Sequence, residues 1–167
     1  MVPDAAAIPA FPAGSPFRNA VALETVGGGE ETNPALVSKV DNAALADAVR
    51  RALKMSGLLG NSPDHAPWRL KVFLVELKYP GTGFTTTVDS FVRYTLIRAA
   101  DKATAFDDIV TASFTATVGD VYVGIERLKV ANEGAIRANI QAFLTRLSSL
   151  DVRGLPKLSA RPTGPAT

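Results

Sequence analysis

The chain has no cysteine, a single histidine and no apolar run of membrane-spanning length. Each absence removes a class of function. Without cysteine, disulfides, thiolate metal sites and thiol nucleophiles within the chain are excluded. The one histidine, His65, would have to serve any Ser-His-Asp site, and its neighbours Ser62 and Asp64 sit in the same short turn. Triad members converge from separated elements around an oxyanion hole, so His65 reads as an exposed loop histidine. A zinc site would lack its usual ligands for the same reason. A membrane helix needs about 18 or more consecutive apolar residues, and no segment comes near that. The start, MVPDAAAIPAFPAGSP, has neither a basic n-region nor a continuous apolar h-region and does not read as a signal peptide.

A surplus of one charge is missing too. The 18 basic residues are interspersed with 16 acidic ones, so the sequence pI near 9.0 rests on a net charge of only +2. With no Lys/Arg cluster to displace counterions, nucleic acid is not an expected partner. Gly27-Gly28-Gly29 lacks the spacing of a phosphate loop, and Glu30 and Glu31 beside it would repel a phosphate. It reads as a flexible connection. Asp101, Asp107 and Asp108 lack the spacing of a calcium loop and read as solvated turn carboxylates. The residues point to no catalytic group, no metal and no cofactor.

What is present is a fold pattern. Pro3, Pro9, Pro12 and Pro16 punctuate the start, and Pro156, Pro162 and Pro165 the finish. Residues 1–16 are expected as an extended or disordered tether, 17–150 as one α+β domain, and 151–167 as a disordered tail. A first strand is expected over Arg18–Val26. A helix follows, capped by Asp41 or Asn42, with Leu45, Ala48, Val49, Ala52 and Leu53 on one face and Gly57 as its stop.

Three strand-like segments come next. Trp68–Leu77 has apolar even positions, but its odd face turns apolar at Phe73, Val75 and Leu77. Either both sides of that end are covered or a bulge switches its faces. Thr85–Arg98 alternates Val88, Val92, Tyr94 and Leu96 with Asp89, Arg93 and Thr95, and Val110–Val118 alternates as cleanly. If the last two form a hairpin around Asp101–Thr104, core faces match only when facing residue numbers sum to an even value. The expected register sets Val92 opposite Phe114 and Arg93 opposite Ser113.

A long helix is expected over Asp120–Leu150, about 45 Å. Its stripe is Ile125, Leu128, Asn132, Ile136, Ile140, Phe143 and Leu147, with Gly134 suggesting close packing or a bend. Asn132 falls inside that stripe, where an amide needs a polar partner, and Asn139 is the other amide singled out on this helix. The order β-α-β-β-β-α makes a two-layer sandwich: a four-stranded, mainly antiparallel sheet with two helices on one face.

The segment Trp68–Leu147 also carries a resemblance. Its motifs are L-x-V-x-L-x-E-L from Leu70, V-R-Y-x-L from Val92, F-D-x-x-V-T-A-x-F-T-A-T from Phe106, and G-x-E-R-L-x-x-A-N-E-G-A-I-R-x-N-I-x-x-F-L from Gly124. They resemble a family of small proteobacterial envelope lipoproteins with no established activity. That resemblance implies a periplasmic domain held to the outer membrane through an N-terminal lipidated cysteine, a residue this chain does not contain. It implies membrane contact through such an anchor only.

The expected function is therefore a non-enzymatic periplasmic domain that binds another envelope component, protein or glycan. The candidate binding surface is Arg69, Lys71, Arg93, Thr111, Ser113 and Thr115 on the polar sheet face, with Tyr79 and Asn132 beside it. Two alternatives stand next to it. One is a carrier of a small apolar ligand or lipid, in a pocket between the second helix and the sheet. The other is a cytosolic protein or an enzyme working through Asp, Glu or Arg side chains.

Overall fold

The structure is a computed structural model that describes residues 1–29, 40–81, 85–117, 119 and 123–151. Its elements are β1 (Val21–Gly27), α1 (Asn42–Met55), β2 (Trp68–Gly81), β3 (Thr85–Arg98), β4 (Thr104–Thr117) and α2 (Gly124–Ser148). The sheet order is β1-β2-β3-β4, with β1 parallel to β2 and the other pairs antiparallel. The expected α+β sandwich with this element order is what the chain forms. One core joins α1, α2 and the same face of the sheet, so both helices cover one side.

Local chemistry explains the boundaries. Asp41 caps α1, its Oδ1 accepting the Ala44 amide at 2.7 Å. Gly57, at φ +71°, turns the chain just past the helix end. α2 is shorter than the sequence suggested, at 25 residues or about 37 Å. Ile125, expected in its buried stripe, is 72% exposed. The buried face instead begins at Ala131, where Gly134 and Ala135 let the helix approach the sheet closely.

The β3–β4 hairpin keeps the even parity but not the exact pairing. Val92 faces Val110 and Phe114 faces Val88, four residues from the expected partners, and Arg93 faces Ile109. The reason lies in the turn. β4 starts at Thr104, immediately after a tight reversal in which the Arg98 amide donates to the Ala103 carbonyl at 2.8 Å. The strand is thus longer at its start than Val110–Val118, and a bulge between Leu96 and Ile97 absorbs the parity change at the turn.

A bulge in β2 resolves its two-sided apolar pattern. Pairing with β3 shifts between Leu74 and Glu76, so Leu77 turns to the core while Phe73 stays on the helix-free face. β1 runs past this bulge at close range, and that need accounts for the glycine run. A Cβ on Gly28 (φ +79°) would stand 2.0 Å from the Leu74 carbonyl oxygen, and one on Gly29 would stand 2.7 Å from the Val40 oxygen. The Gly29 amide also donates to Asn42 Oδ1 at 2.8 Å. The expected flexible connection is, through Gly29, a packed seam; Glu30 and Glu31 lie outside the described residues.

Residues 1–16 differ from the extended or disordered tether. Met1, Val2 and Ile8 pack against the core and Phe11 is part of it. Arg137 Nε donates to the Val2 carbonyl at 3.1 Å, and Trp68 Nε1 donates to the Pro16 carbonyl at 3.0 Å. Four prolines lower the entropy this strap loses on ordering, and its apolar side chains offset the remainder. The tail expected at 151–167 lies outside the described residues beyond Asp151.

A buried polar network sets α2 on the sheet. Tyr94 Oη donates to Asn139 Oδ1 at 3.0 Å, while Asn139 Nδ2 donates to the Val110 carbonyl at 2.7 Å and the Ser90 carbonyl at 3.1 Å. Ser90 Oγ in turn reaches the carbonyls of Ala112 (2.9 Å) and Ala135 (3.1 Å). Ser90, Tyr94 and Asn139 are all fully buried. Tyr94 also stacks on Phe143, with ring centroids 4.0 Å apart and planes 3° from parallel.

Two outcomes follow for urea denaturation. Asn139→Ala should cost about 3 kcal/mol or more, because it strands several buried partners, and Tyr94→Phe about 1–2 kcal/mol. Gly28→Ala should cost at least about 2 kcal/mol, combining a left-handed backbone with a backbone clash.

Candidate functional site

The helix-free sheet face brings together six of the eight candidates. Arg69 and Lys71 lie on β2, Arg93 on β3, and Thr111, Ser113 and Thr115 on β4. The registers place them in rows: Lys71 beside Thr95, Phe73 beside Arg93 and Ile109, and Phe91 beside Thr111. Tyr79 and Asn132 meet elsewhere. Asn132 is buried on α2, and its side chain hydrogen-bonds Tyr79 near the end of β2. Burial pushes the Tyr79 phenol up from its ordinary value, and the Asn132 contact partly offsets that. That contact satisfies only part of the amide: Asn132 Oδ1 is buried with no hydrogen-bond partner among the described residues.

Most polar groups of the open face pair with one another. Arg93 grips Asp107 through a fork, Nε to Oδ1 at 2.8 Å and Nη2 to Oδ2 at 2.7 Å, and Thr95 Oγ1 donates to the same carboxylate at 3.0 Å. Ser113 Oγ donates to Asp89 Oδ1 at 2.6 Å, and the Thr87 and Thr115 hydroxyls are 2.9 Å apart. Lys71 pairs with Glu24 at 3.6 Å and Lys78 with Glu76 at 3.4 Å. Arg69 is drawn to the rim, donating to the Asp64 carbonyl at 2.8 Å.

Between these pairs runs an apolar strip that the polar reading of this face missed. Phe73 is 53% exposed, Val75 46% and Ile109 43%. Phe91 lies in the next row, under the Lys78 ammonium at 4.9 Å from the ring centroid. A shallow hollow of about 370 Å³ opens beside Phe73, lined by Thr25, Gly27, Lys71, Arg93 and Thr95. The signal for Phe73 was visible in the odd face of β2, but the bulge that separates it from Leu77 was not. His65, as expected, sits in an exposed 3₁₀ turn (Pro63–His65). Among the described residues no group of three or more His, Asp or Glu side chains could hold a metal ion.

The sequence matches no protein-family model and no curated relative. The fold itself is shared with solved bacterial proteins. A Caulobacter crescentus protein described as a candidate lipoprotein superposes with a TM-score of 0.52 at 14% identity, covering 78% of this chain and 88% of that one. The hypothetical protein CT253 from Chlamydia trachomatis gives 0.57 at 12% identity, over 80% of this chain and 97% of that one. Protein XCC0632 from Xanthomonas campestris, of family DUF330, gives 0.49 at 13% identity, over 84% and 89%. The likeness is one of fold, and the lipoprotein description belongs to the Caulobacter protein.

Two carboxylates carry a pH signature. The Arg98 guanidinium, bonded at 2.6–2.9 Å, draws Asp101 down from 3.8 to about 2, and Arg93 likewise lowers Asp107. A depressed carboxylate pKa means that each pair stabilises the fold above the ordinary carboxylate range. That contribution fades as pH falls through the folded value. Carboxyl titration by NMR should place Asp101 near 2, and Arg98→Gln should return its midpoint toward 3.8. Added salt should shrink the difference, because the pair is exposed.

Proposed function

We propose that this chain is the folded domain of a cell-envelope lipoprotein, periplasmic and held to the outer membrane in its native form, that binds another envelope component without enzymatic turnover. The observation that carries the reading is the strip of Phe73, Val75 and Ile109. These exposed apolar side chains lie on a face whose ion pairs are already satisfied within the chain. A fold does not need such side chains exposed on an open sheet face, whereas a docking surface does. The saturated ion pairs around the strip suit the polar rim of an interface, where charges set orientation more than affinity. The shared fold with a candidate lipoprotein from Caulobacter crescentus supports the envelope placement by analogy.

The carrier alternative gains no support from the core beneath α2. Ile136, Ile140, Phe143, Leu144 and Leu147 are at most 1% exposed there, and Phe143 is stacked on Tyr94. The space an apolar ligand would occupy is filled by the protein's own side chains.

A photo-crosslinker at Phe73 in the full-length gene product should capture one defined envelope component in cells. The same probe at Arg51, an exposed position on α1, should not. Ile109→Asp should abolish the crosslink while changing stability by less than about 0.5 kcal/mol. Recovery of the full-length product in the cytoplasmic fraction would overturn the placement, and equal capture from both positions would overturn the surface.

A further inference from the structure

The sheet has two edges, and they are treated differently. Outside β1, Val21 bridges Leu59, and the Leu58 carbonyl accepts the amides of Ala20 and Val21 at 3.0 Å. Outside β4 there is no such cover among the described residues: no backbone group of residues 104–116 bonds a backbone beyond β3. In an antiparallel ladder, successive residues alternate between bonding the neighbour and facing away. Ile109 marks the outward phase, since its amide turns to the carboxylate of Asp108 at 2.8 Å. Thr111, Ser113 and Thr115 share that phase and present three consecutive outward peptide groups.

Open edges are normally guarded by lysine, proline, inward charge or bulges. The first part of β4 has such guards in Asp107, Asp108 and the bulge near the turn. From Val110 to Thr117 the strand reads VTASFTAT, with no charge, proline or glycine. We infer that this edge is a self-association surface, on which a second copy of the chain pairs antiparallel about a two-fold axis at Ser113.

Three observations select that arrangement. A parallel pair in register would set Asp107 and Asp108 beside their own copies, and like charges facing each other destabilise a ladder. An axis nearer the start would need the Ile109 amide, which Asp108 already holds. Pairing about Ser113 uses the three available positions, with Thr111 facing Thr115 of the second copy. On the helix side it sets the half-buried ring of Phe114 against Ala112 of the second copy, large against small, twice over. The side-chain faces match across the axis, so the two sheets join with their open faces on one side. The inference stands on the edge alone and not on what the open face binds.

Sedimentation velocity of the full chain over a concentration series should show a monomer–dimer equilibrium. Thr111→Pro removes one outward N–H and should raise the dimer Kd by at least about tenfold with an unchanged far-UV spectrum. Should that variant fold poorly, Thr111→Lys tests the same contact. Because the chain has no cysteine, Ser113→Cys should oxidise to a covalent dimer. Facing positions in such a pair lie about 5.5 Å apart at Cα, within disulfide reach. Thr111→Cys alone should not cross-link, whereas mixed with Thr115→Cys it should. A monomer at every concentration would overturn the inference, as would a dimer unmoved by the Thr111 variants or a Ser113→Cys chain that stays uncoupled.

Discussion

The architecture depends on one buried amide. Asn139 bridges the helix layer and the two strands beneath it, accepting from Tyr94 and donating to the backbones at Ser90 and Val110. Apolar contacts alone would let α2 slide or rotate on the sheet at small cost, since Ile, Leu and Ala side chains repack with tolerance. A fully satisfied polar network does not slide, because any other register leaves donors and acceptors buried without partners. Ser90 extends the same clamp to the Ala135 carbonyl, where the helix comes close enough for Gly134 to lie on the Phe114 ring. The small-residue half of α2 and the aromatic half are thus held by adjacent parts of one system.

The second constraint is parity. A strand shows one set of residues to the core and the other to the surface, and only a bulge can change that within a strand. β2 uses one to turn Leu77 inward after Phe73 has been left outside. β1 has an irregularity of its own between Leu23 and Thr25 and must still pass close to β2, which is what the glycines at its end accomplish. The open face thus acquires its apolar strip from an interruption in a regular pattern. The aromatic and aliphatic residues there are products of sheet geometry as much as of composition.

Much of this was legible in the amino acids. The alternation of Val88, Val92, Tyr94 and Leu96, the Asp41 cap and the spacing of Ile136, Ile140, Phe143 and Leu147 all express physics local to one element. The even parity of the β3–β4 hairpin followed from the same patterns. Its exact pairing did not, because that depends on where the turn closes, and a tight reversal with Lys102 at φ 62° leaves only a weak trace in sequence. The strap of residues 1–16 was illegible for a related reason. Proline-rich composition signals extension, while docking depends on apolar residues such as Phe11 finding a site built by distant segments. On the open face the charged and hydroxyl residues were identified, but their mutual pairing was not, so the apolar strip between them was overlooked.

The strap also gives the chain a built-in optical reporter. Trp68, the only tryptophan, sits where the strap meets β2, bonded through its indole to Pro16 and packed edge-on against Phe17 at 5.2 Å. Tyr94 lies in the core, stacked against Phe143. Indole emission therefore samples the seam between strap and sheet, whereas phenol absorbance sums the buried Tyr94 with the half-exposed Tyr79 and with Tyr122. The single indole thus reads the docking of the first residues directly, in an unlabelled sample.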